Sequence, residues 1–251
     1  MKKISIFFII VAVICIGWFV YDQQRSTDNT QGANTSNGNT TNDQGFDKKQ
    51  YSLTDPTSLW VVVNKHNALQ PKTYAPSDLV TPDVPLRLTN GDAEMDMRKP
   101  AADALKEMFA AAKKDGLNLQ ISSGYRSYNY QVSLYNHYVD VQGKAVADSQ
   151  SARPGYSEHQ TGLAADVEPT SRKCEVEECF GTTPEGQWVA ANAYKYGFII
   201  RYPKNMQDVT GYIYEPWHIR YVGKDLAGEM HKQNIATLEQ FFGLDDAADY
   251  N

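Results

Sequence analysis

Beyond residue 100, the spacing of apolar positions changes between the periods of helices and strands. Apolar residues three and four positions apart predict a helix that begins at Pro100 and ends at Gly116. Residues 117–121 alternate between apolar and polar, which predicts a strand. Ser127 follows at a position where it can cap a second, tyrosine-rich helix.

The next part of the chain continues the same mixture. Residues 185–196 predict a third helix that a glycine stops, and residues 198–202 predict a strand. A turn at Gly211 leads to a strand over residues 217–221, and residues 224–242 predict one or two closing helices. Strands and helices alternate without a regular βαβ rhythm, which favours a single α+β domain over a doubly wound sheet.

The chain before residue 100 divides by composition. Residues 26–44 consist almost wholly of small polar residues without apolar periodicity, so they cannot bury a core. We therefore predict a flexible polar linker over residues 22–50 and a globular domain over residues 51–251. Within that domain, the proline-rich segment 54–96 is expected to wrap around the core and to dock its apolar run 60–63 on it.

The N-terminal residues 1–21 have the pattern of an export signal. Two lysines precede an apolar run from Ile4 to Tyr21, which is typical of a signal sequence or a membrane anchor. No A-x-A cleavage site follows, and Ile14 before Cys15 makes a poor lipidation motif. We expect an uncleaved anchor with the rest of the protein on the extracytoplasmic face of a bacterial membrane. Cleavage would instead give a secreted protein.

Charge and cysteine content narrow the possible partners. The formal net charge of −6 argues against nucleic acid as a partner, because phosphate binding needs a basic surface. The full chain has 41% hydrophobic residues, so its domain can form a core, and we expect a monomer. Cys174 and Cys179 form an even pair in a domain predicted to be exported, which indicates a disulfide. A metal-binding pair is the alternative, but no third and fourth ligands are near in sequence.

Two short segments contain residues that suit a catalytic zinc site. His159 and Asp166 lie in the first, and His218 lies in the second. These residues meet the need of a catalytic zinc for three protein ligands and one open position. Glu215, three residues before His218, could act as the base beside the metal. The H-x6-D spacing of the first segment suits a ligand in a turn followed by one on a strand, with Gly162 permitting a tight approach.

These segments resemble the zinc motifs of the VanY-like D-alanyl-D-alanine carboxypeptidases, which the LdcB-type L,D-carboxypeptidases share. The resemblance is carried by Ser157-x-His159-x-x-Gly162-x-Ala164-x-Asp166, by Glu215-x-x-His218, and by the runs 123–127, 196–203 and 216–223. It implies a single zinc ion and hydrolysis of the terminal D-alanine from peptidoglycan stem peptides. It also implies a small Hedgehog-like α+β fold with a central antiparallel sheet flanked by helices.

A carboxypeptidase must also recognise the free carboxylate at the end of its substrate. Arg126, in a loop after a predicted strand, is the candidate cation for that carboxylate and for the developing oxyanion, unless it is structural. The resemblance implies that Gln131 and Ser157 contact the terminal D-alanine; the alternatives are a solvated helix residue and a turn cap. Tyr202 could donate its hydroxyl to the substrate or belong to the core, and Trp217 is expected to wall the pocket.

The sequence leaves three functions open. A zinc carboxypeptidase could cleave a pentapeptide stem ending in D-Ala-D-Ala or a tetrapeptide stem, and the zinc motif does not distinguish them. The loop 169–184 could decide which of the two stems is the substrate, because a tetrapeptide site must admit a long L-lysine or diaminopimelate side chain. The second function is a wall-binding or signalling module that keeps zinc without catalysis, against which the intact Glu215 argues. The third is a wall endopeptidase, which would need a pocket open at both ends.

Overall fold

The computed structural model describes residues 45–88 and 92–250, and two antiparallel sheets organise this part of the chain. The small sheet pairs β1 (Leu79–Val80) with β2 (Met97–Arg98). The central sheet has four strands in the order β3-β4-β6-β5, and every neighbouring pair is antiparallel. Its strands are β3 (Leu119–Ser123), β4 (Ala164–Pro169), β5 (Phe198–Tyr202) and β6 (Glu215–Tyr221).

Seven α-helices accompany the sheets in the described residues. They are α1 (Lys99–Lys114), α2 (Tyr128–Gln142), α3 (Lys144–Gln150), α4 (Pro184–Asn192), α5 (Gln207–Thr210), α6 (Lys224–Gln233) and α7 (Leu238–Phe242). The predicted α+β class is confirmed. The Ser127 hydroxyl caps α2 by accepting from the backbone N–H of Tyr130 at 3.2 Å. The third predicted helix is shorter than expected, because a 3-10 turn over Ala193–Tyr196 takes its last residues.

The main core lies between α1 and the central sheet. The apolar stripe of α1, including Leu105 and Met108, is buried against Ile121 and Val167 of the sheet. The segment before α1 wraps this core as expected, and its run Trp60–Val63 is fully buried. Val61 and Val63 enter the main core, whereas Trp60 and Val62 enter a second cluster with α6 and α7. The wrapping segment therefore joins the two clusters.

The predicted disulfide between Cys174 and Cys179 is present in the loop between β4 and α4. The predicted anchor over residues 1–21 lies outside the described residues, as does most of the predicted linker. Within the linker range, the ring of Phe46 stacks on Trp60 with centroids 5.5 Å apart. Along residues 45–88 and 92–250, no helix is long and apolar enough to cross a membrane. The domain boundaries stay predictions.

Candidate active site

Two neighbouring strands and one turn bring the three predicted metal ligands together. Asp166 on β4 lies directly opposite His218 on β6 in the sheet register. His159 belongs to a 3-10 turn over Glu158–Thr161 that precedes β4. Gly162 ends this turn with φ +67°, and a Cβ added there would lie 2.9 Å from the side chain of Arg98. A glycine is therefore needed for the turn to return the chain into β4.

The distances between the ligand atoms match those of a zinc site. Asp166 Oδ1 lies 3.4 Å from His159 Nε2 and 3.2 Å from His218 Nδ1. Ligands about 2.0–2.1 Å from a zinc ion at tetrahedral angles lie about 3.3 Å apart. His159 Nε2 and Asp166 Oδ1 are buried without a hydrogen-bond partner in the described part of the chain. Buried polar atoms without a partner are costly, so these two atoms fit a metal better than they fit each other.

Both imidazole rings are held by hydrogen bonds on the side away from Asp166. The Nδ1 of His159 lies 2.7 Å from the carbonyl oxygen of Gly124, and the Nε2 of His218 lies 3.3 Å from Glu158 Oε2. Burial lowers the pKa of His159 to about 4, and Arg126 acts in the same direction. The His159 ring is therefore neutral, and a neutral ring that donates through its outer nitrogen presents the other nitrogen as a metal ligand.

Glu158 is a buried carboxylate in contact with His218 that the sequence motifs did not single out. Its Oε1 accepts from Arg201 Nε at 2.8 Å and from Arg220 Nη1 at 2.7 Å, and all three side chains are fully buried. Burial raises the pKa of this carboxyl, but Arg220 and Arg201 hold it well below its usual range. Glu158 therefore stays ionised and can orient His218. The sequence did contain a signal for this contact, because each of the strands β5 and β6 has an arginine among its apolar residues, Arg201 and Arg220.

Glu215 lies at the start of β6, beside the ligands. Its Oε2 is 3.8 Å from His218 Nδ1, and in the register Glu215 lies opposite Tyr202 of β5. Burial raises the pKa of Glu215 to about 8, while the nearby His218 acts in the opposite direction. No hydrogen bond engages its carboxylate within the described ranges. A carboxyl group of this kind can take up and release a proton.

A cleft of about 390 Å³ opens over the three ligands. Four residues that the sequence suggested as substrate contacts line it, namely Arg126, Ser157, Tyr202 and Trp217. The Nη2 of Arg126 donates to Asp166 Oδ2 at 3.2 Å, and its Nε donates to Ser123 Oγ at the same distance. The guanidinium is thus fixed at the edge of the metal site.

Gln131 is placed differently from the other predicted contact residues. Its side chain is fully buried and does not line the cleft. Its Nε2 donates to Ser151 Oγ at 3.2 Å and to the carbonyl of Ala152 at 2.7 Å. Both Ser151 and Ala152 line the cleft, so Gln131 supports the wall rather than forming it.

Comparison with known proteins identifies the family of the chain. Residues 94–224 match the family model of the VanY D-alanyl-D-alanine carboxypeptidases. The chain belongs to the VanY family. As the motifs predicted, it is a hydrolytic carboxypeptidase by family. The matched range contains both zinc motifs and the run that holds Arg126.

Several relatives of this VanY-family chain are similar over most of its length. YodJ of Bacillus subtilis (strain 168), a protein classed with the carboxypeptidases, is 50% identical over 191 residues, which are 76% of this chain and 69% of YodJ. The solved structure of the LdcB LD-carboxypeptidase is 48% identical with a TM-score of 0.71 and covers 78% of this chain and 89% of its own.

A third relative was solved with a metal ion. It is a single-residue variant of the vancomycin resistance D,D-pentapeptidase VanY, in complex with Zn(II). It is 31% identical with a TM-score of 0.59 and covers 74% of this chain and 98% of its own. This VanY-family chain is thus similar both to an LD-carboxypeptidase and to a D,D-pentapeptidase.

Proposed function

We propose that this VanY-family protein removes the C-terminal D-alanine of peptidoglycan stem peptides with one zinc ion held by His159, Asp166 and His218. The main support is the cluster of three buried ligand atoms, which lie within 4.8 Å of one another. Two imidazoles and a carboxylate are a usual donor set for catalytic zinc. When bound, the ion would lower the pKa of a water molecule and polarise the scissile carbonyl.

Glu215 is the proposed general base and acid. Its carboxylate accepts a proton from the attacking water as the new C–O bond forms at the scissile carbonyl. It then gives the proton to the nitrogen of the departing D-alanine as the C–N bond breaks. Its position beside His218, with no hydrogen bond to another described residue, supports this role.

Arg126 is the proposed binding group for the terminal carboxylate and for the developing negative charge on the carbonyl oxygen. Its Nη1 has no acceptor within the described ranges, whereas Nε and Nη2 are fixed by Ser123 and Asp166. Ser157 and Tyr202 line the same cleft and are proposed to donate hydroxyl groups to the peptide, with Trp217 as a wall. Gln131 is proposed to act through Ser151 and Ala152.

The proposed site of action is the extracytoplasmic face of the membrane, where peptidoglycan lies. The support is the lysine-led apolar run at the N-terminus, which suits an anchor, followed by a polar stretch long enough to serve as a tether. The partners proposed for the protein are therefore the stem peptides and, through the N-terminal segment, the membrane.

The test is hydrolysis of stem peptides with a free or an amidated C-terminus, with products weighed by mass spectrometry. We expect loss of one alanine from the free peptide and little or no cleavage of the amide. Equal cleavage of both would favour the endopeptidase, and cleavage of neither would favour a binding module. Either outcome would refute the proposed function.

A further inference from the structure

Helix α7 has a buried carboxylate that none of the roles assigned so far explains. Leu238 and Phe241 of this helix pack into the second hydrophobic cluster, and Glu239 between them is fully buried as well. Burial alone raises the pKa of the Glu239 carboxyl, but Arg201 and Asn64 hold it below its usual value. Glu239 is therefore ionised inside the protein, where a charge needs partners that compensate it.

Arg201 is the main partner of Glu239, and it also contacts the carboxylate behind the candidate metal site. Its Nη1 donates to Glu239 Oε2 at 3.0 Å, and its Nη2 donates to Glu239 Oε1 at 2.6 Å. Its Nε donates to Glu158 Oε1 at 2.8 Å. All three side chains are fully buried. Glu239 thus occupies the two outer nitrogens of the guanidinium and leaves Nε for Glu158.

The Glu158 carboxylate is shared between two arginines and a predicted metal ligand. Its Oε1 also accepts from Arg220 Nη1 at 2.7 Å, so both arginines bind the same oxygen. Its Oε2 lies 3.3 Å from His218 Nε2. The Nε and Nη2 of Arg220 are fixed by main-chain carbonyl oxygens. Only Oε1 is therefore taken up by the arginines, and Oε2 is left for the His218 ring.

The pairing of Arg201 with Glu239 keeps this division between the two oxygens. Arginine favours binding a carboxylate through two parallel hydrogen bonds. Without the Glu239 carboxylate, the outer nitrogens of Arg201 lose their acceptors and can turn to Glu158, the other carboxylate that the guanidinium contacts. A second bond from Arg201 would engage Oε2 and compete with His218 for it. The ring would then lose the contact that orients its Nδ1 toward Asp166.

We propose that Glu239 is a positioning residue for His218 and acts through Arg201 and Glu158. This inference rests on the proposed function, in which His218 is a zinc ligand. Glu239 holds the guanidinium of Arg201, the guanidinium holds Glu158 Oε1, and Glu158 Oε2 orients the ring. Glu239 lies outside residues 94–224, the range that matches the family model. A residue on α7 thereby contributes to the metal affinity of a site built on β4 and β6.

The test measures the zinc affinity of the purified full chain by competition with a chelator, with circular dichroism to verify folding. Loss of a direct partner of a metal ligand costs about 10–100-fold in affinity, so Glu239→Gln, one contact further away, should cost roughly three- to tenfold. Glu239→Asp keeps the charge and should cost less, and it replaces Glu239→Gln if that variant does not fold. In the Glu158→Gln background the substitution of Glu239 should cause no further loss, because the path to His218 is already broken.

Glu168→Gln is the matched control for a buried carboxylate. Glu168 is also fully buried, and it accepts from Arg87 Nε at 2.9 Å and from Gln120 Nε2 at 2.6 Å. Within residues 45–88 and 92–250 it makes no hydrogen bond to a predicted metal ligand. Its substitution should lower the free energy of unfolding and leave zinc affinity unchanged.

The outcomes separate this inference from the proposed function. Native zinc affinity in the folded Glu239 variant overturns the inference, as does an equal loss of affinity in Glu168→Gln. A loss that is as large in the Glu158→Gln background as in the native one shows a role that does not pass through Glu158, and it also overturns the inference. Each of these results leaves the zinc carboxypeptidase intact. A native chain that binds no zinc overturns the proposed function and this inference with it.

Discussion

Glu158 and Glu215 are buried carboxylates on either side of His218. Their different contacts indicate that they have different roles. Both oxygens of Glu158 are engaged, by Arg201 and Arg220 and by the His218 ring. Glu215 makes no hydrogen bond with another described residue and borders the cleft. Within this single site, a carboxylate fixed by arginines serves for orientation, and a free one can carry a proton.

Glu215→Ala should therefore keep zinc and fold but lose turnover. A general base contributes a factor of about 10²–10⁴, which sets the expected loss. Zinc content and circular dichroism should stay native while D-alanine release is followed. A loss of less than about tenfold would mean that another residue is the base.

Arg126→Ala should act on recognition of the peptide's end. An unpartnered group in a partly buried site costs roughly 1–3 kcal/mol, and a charged group costs more, so kcat/KM on free peptides should fall at least about tenfold. Amidating the C-terminus should impair the native enzyme strongly and the variant much less. The idea fails if amidation affects both proteins to the same extent.

At the scale of elements, the Glu158 turn is tied to strands β5 and β6 by buried arginines. Removing one member of a buried ion pair costs about 3–5 kcal/mol, so Glu158→Ala should lower the free energy of unfolding by about that amount. Loss of a residue that orients a ligand should also weaken zinc binding about 10–100-fold. Denaturant unfolding measures the change in the free energy of unfolding, and competition with a chelator measures the change in zinc affinity.

Lys99→Ala provides the control for Glu158→Ala. It breaks the exposed pair with Asp103, in which the two side chains are 65% and 64% exposed. Such a pair contributes about 0–1 kcal/mol, and zinc affinity should not change. Equal destabilisation by the two substitutions would contradict the structural role assigned to Glu158.

Local patterns predicted most elements, and long-range contacts explain the rest. The strand Phe198–Tyr202 and the Ser127 cap follow from sequence alone. Strand β6 begins two residues earlier than expected, because an irregular register beside β5 accommodates Pro216. Helix α3 was not predicted, since Ala147 is its only buried residue and no apolar stripe marks it.

At the candidate site, too, local sequence patterns revealed some residues, and long-range contacts determined the others. Both zinc motifs could be found because each lies within a short stretch of sequence. Glu158 was missed because its partners Arg201 and Arg220 lie far along the chain, and only the fold brings them together. The position of Gln131 likewise depends on contacts with the segment before the first motif.

At the scale of the whole molecule, the expected N-terminal anchor determines where the enzyme meets its substrate. Because no A-x-A site follows the apolar run, protein recovered from the membrane fraction should begin at the N-terminal methionine. The intact mass of the purified full chain decides this. A mass that corresponds to loss of residues 1–21 would identify a cleaved signal sequence and a secreted enzyme.

The most direct test of the zinc carboxypeptidase is release of D-alanine from a tetrapeptide stem as zinc is added back to chelator-treated enzyme. We expect the treated enzyme to be inactive and its activity to rise to a plateau at one zinc per chain. His218→Ala, which lacks one of the three ligands, should stay inactive over the same range. Full activity of the metal-free enzyme, or a native plateau in His218→Ala, would contradict a catalytic zinc ion held by these three ligands.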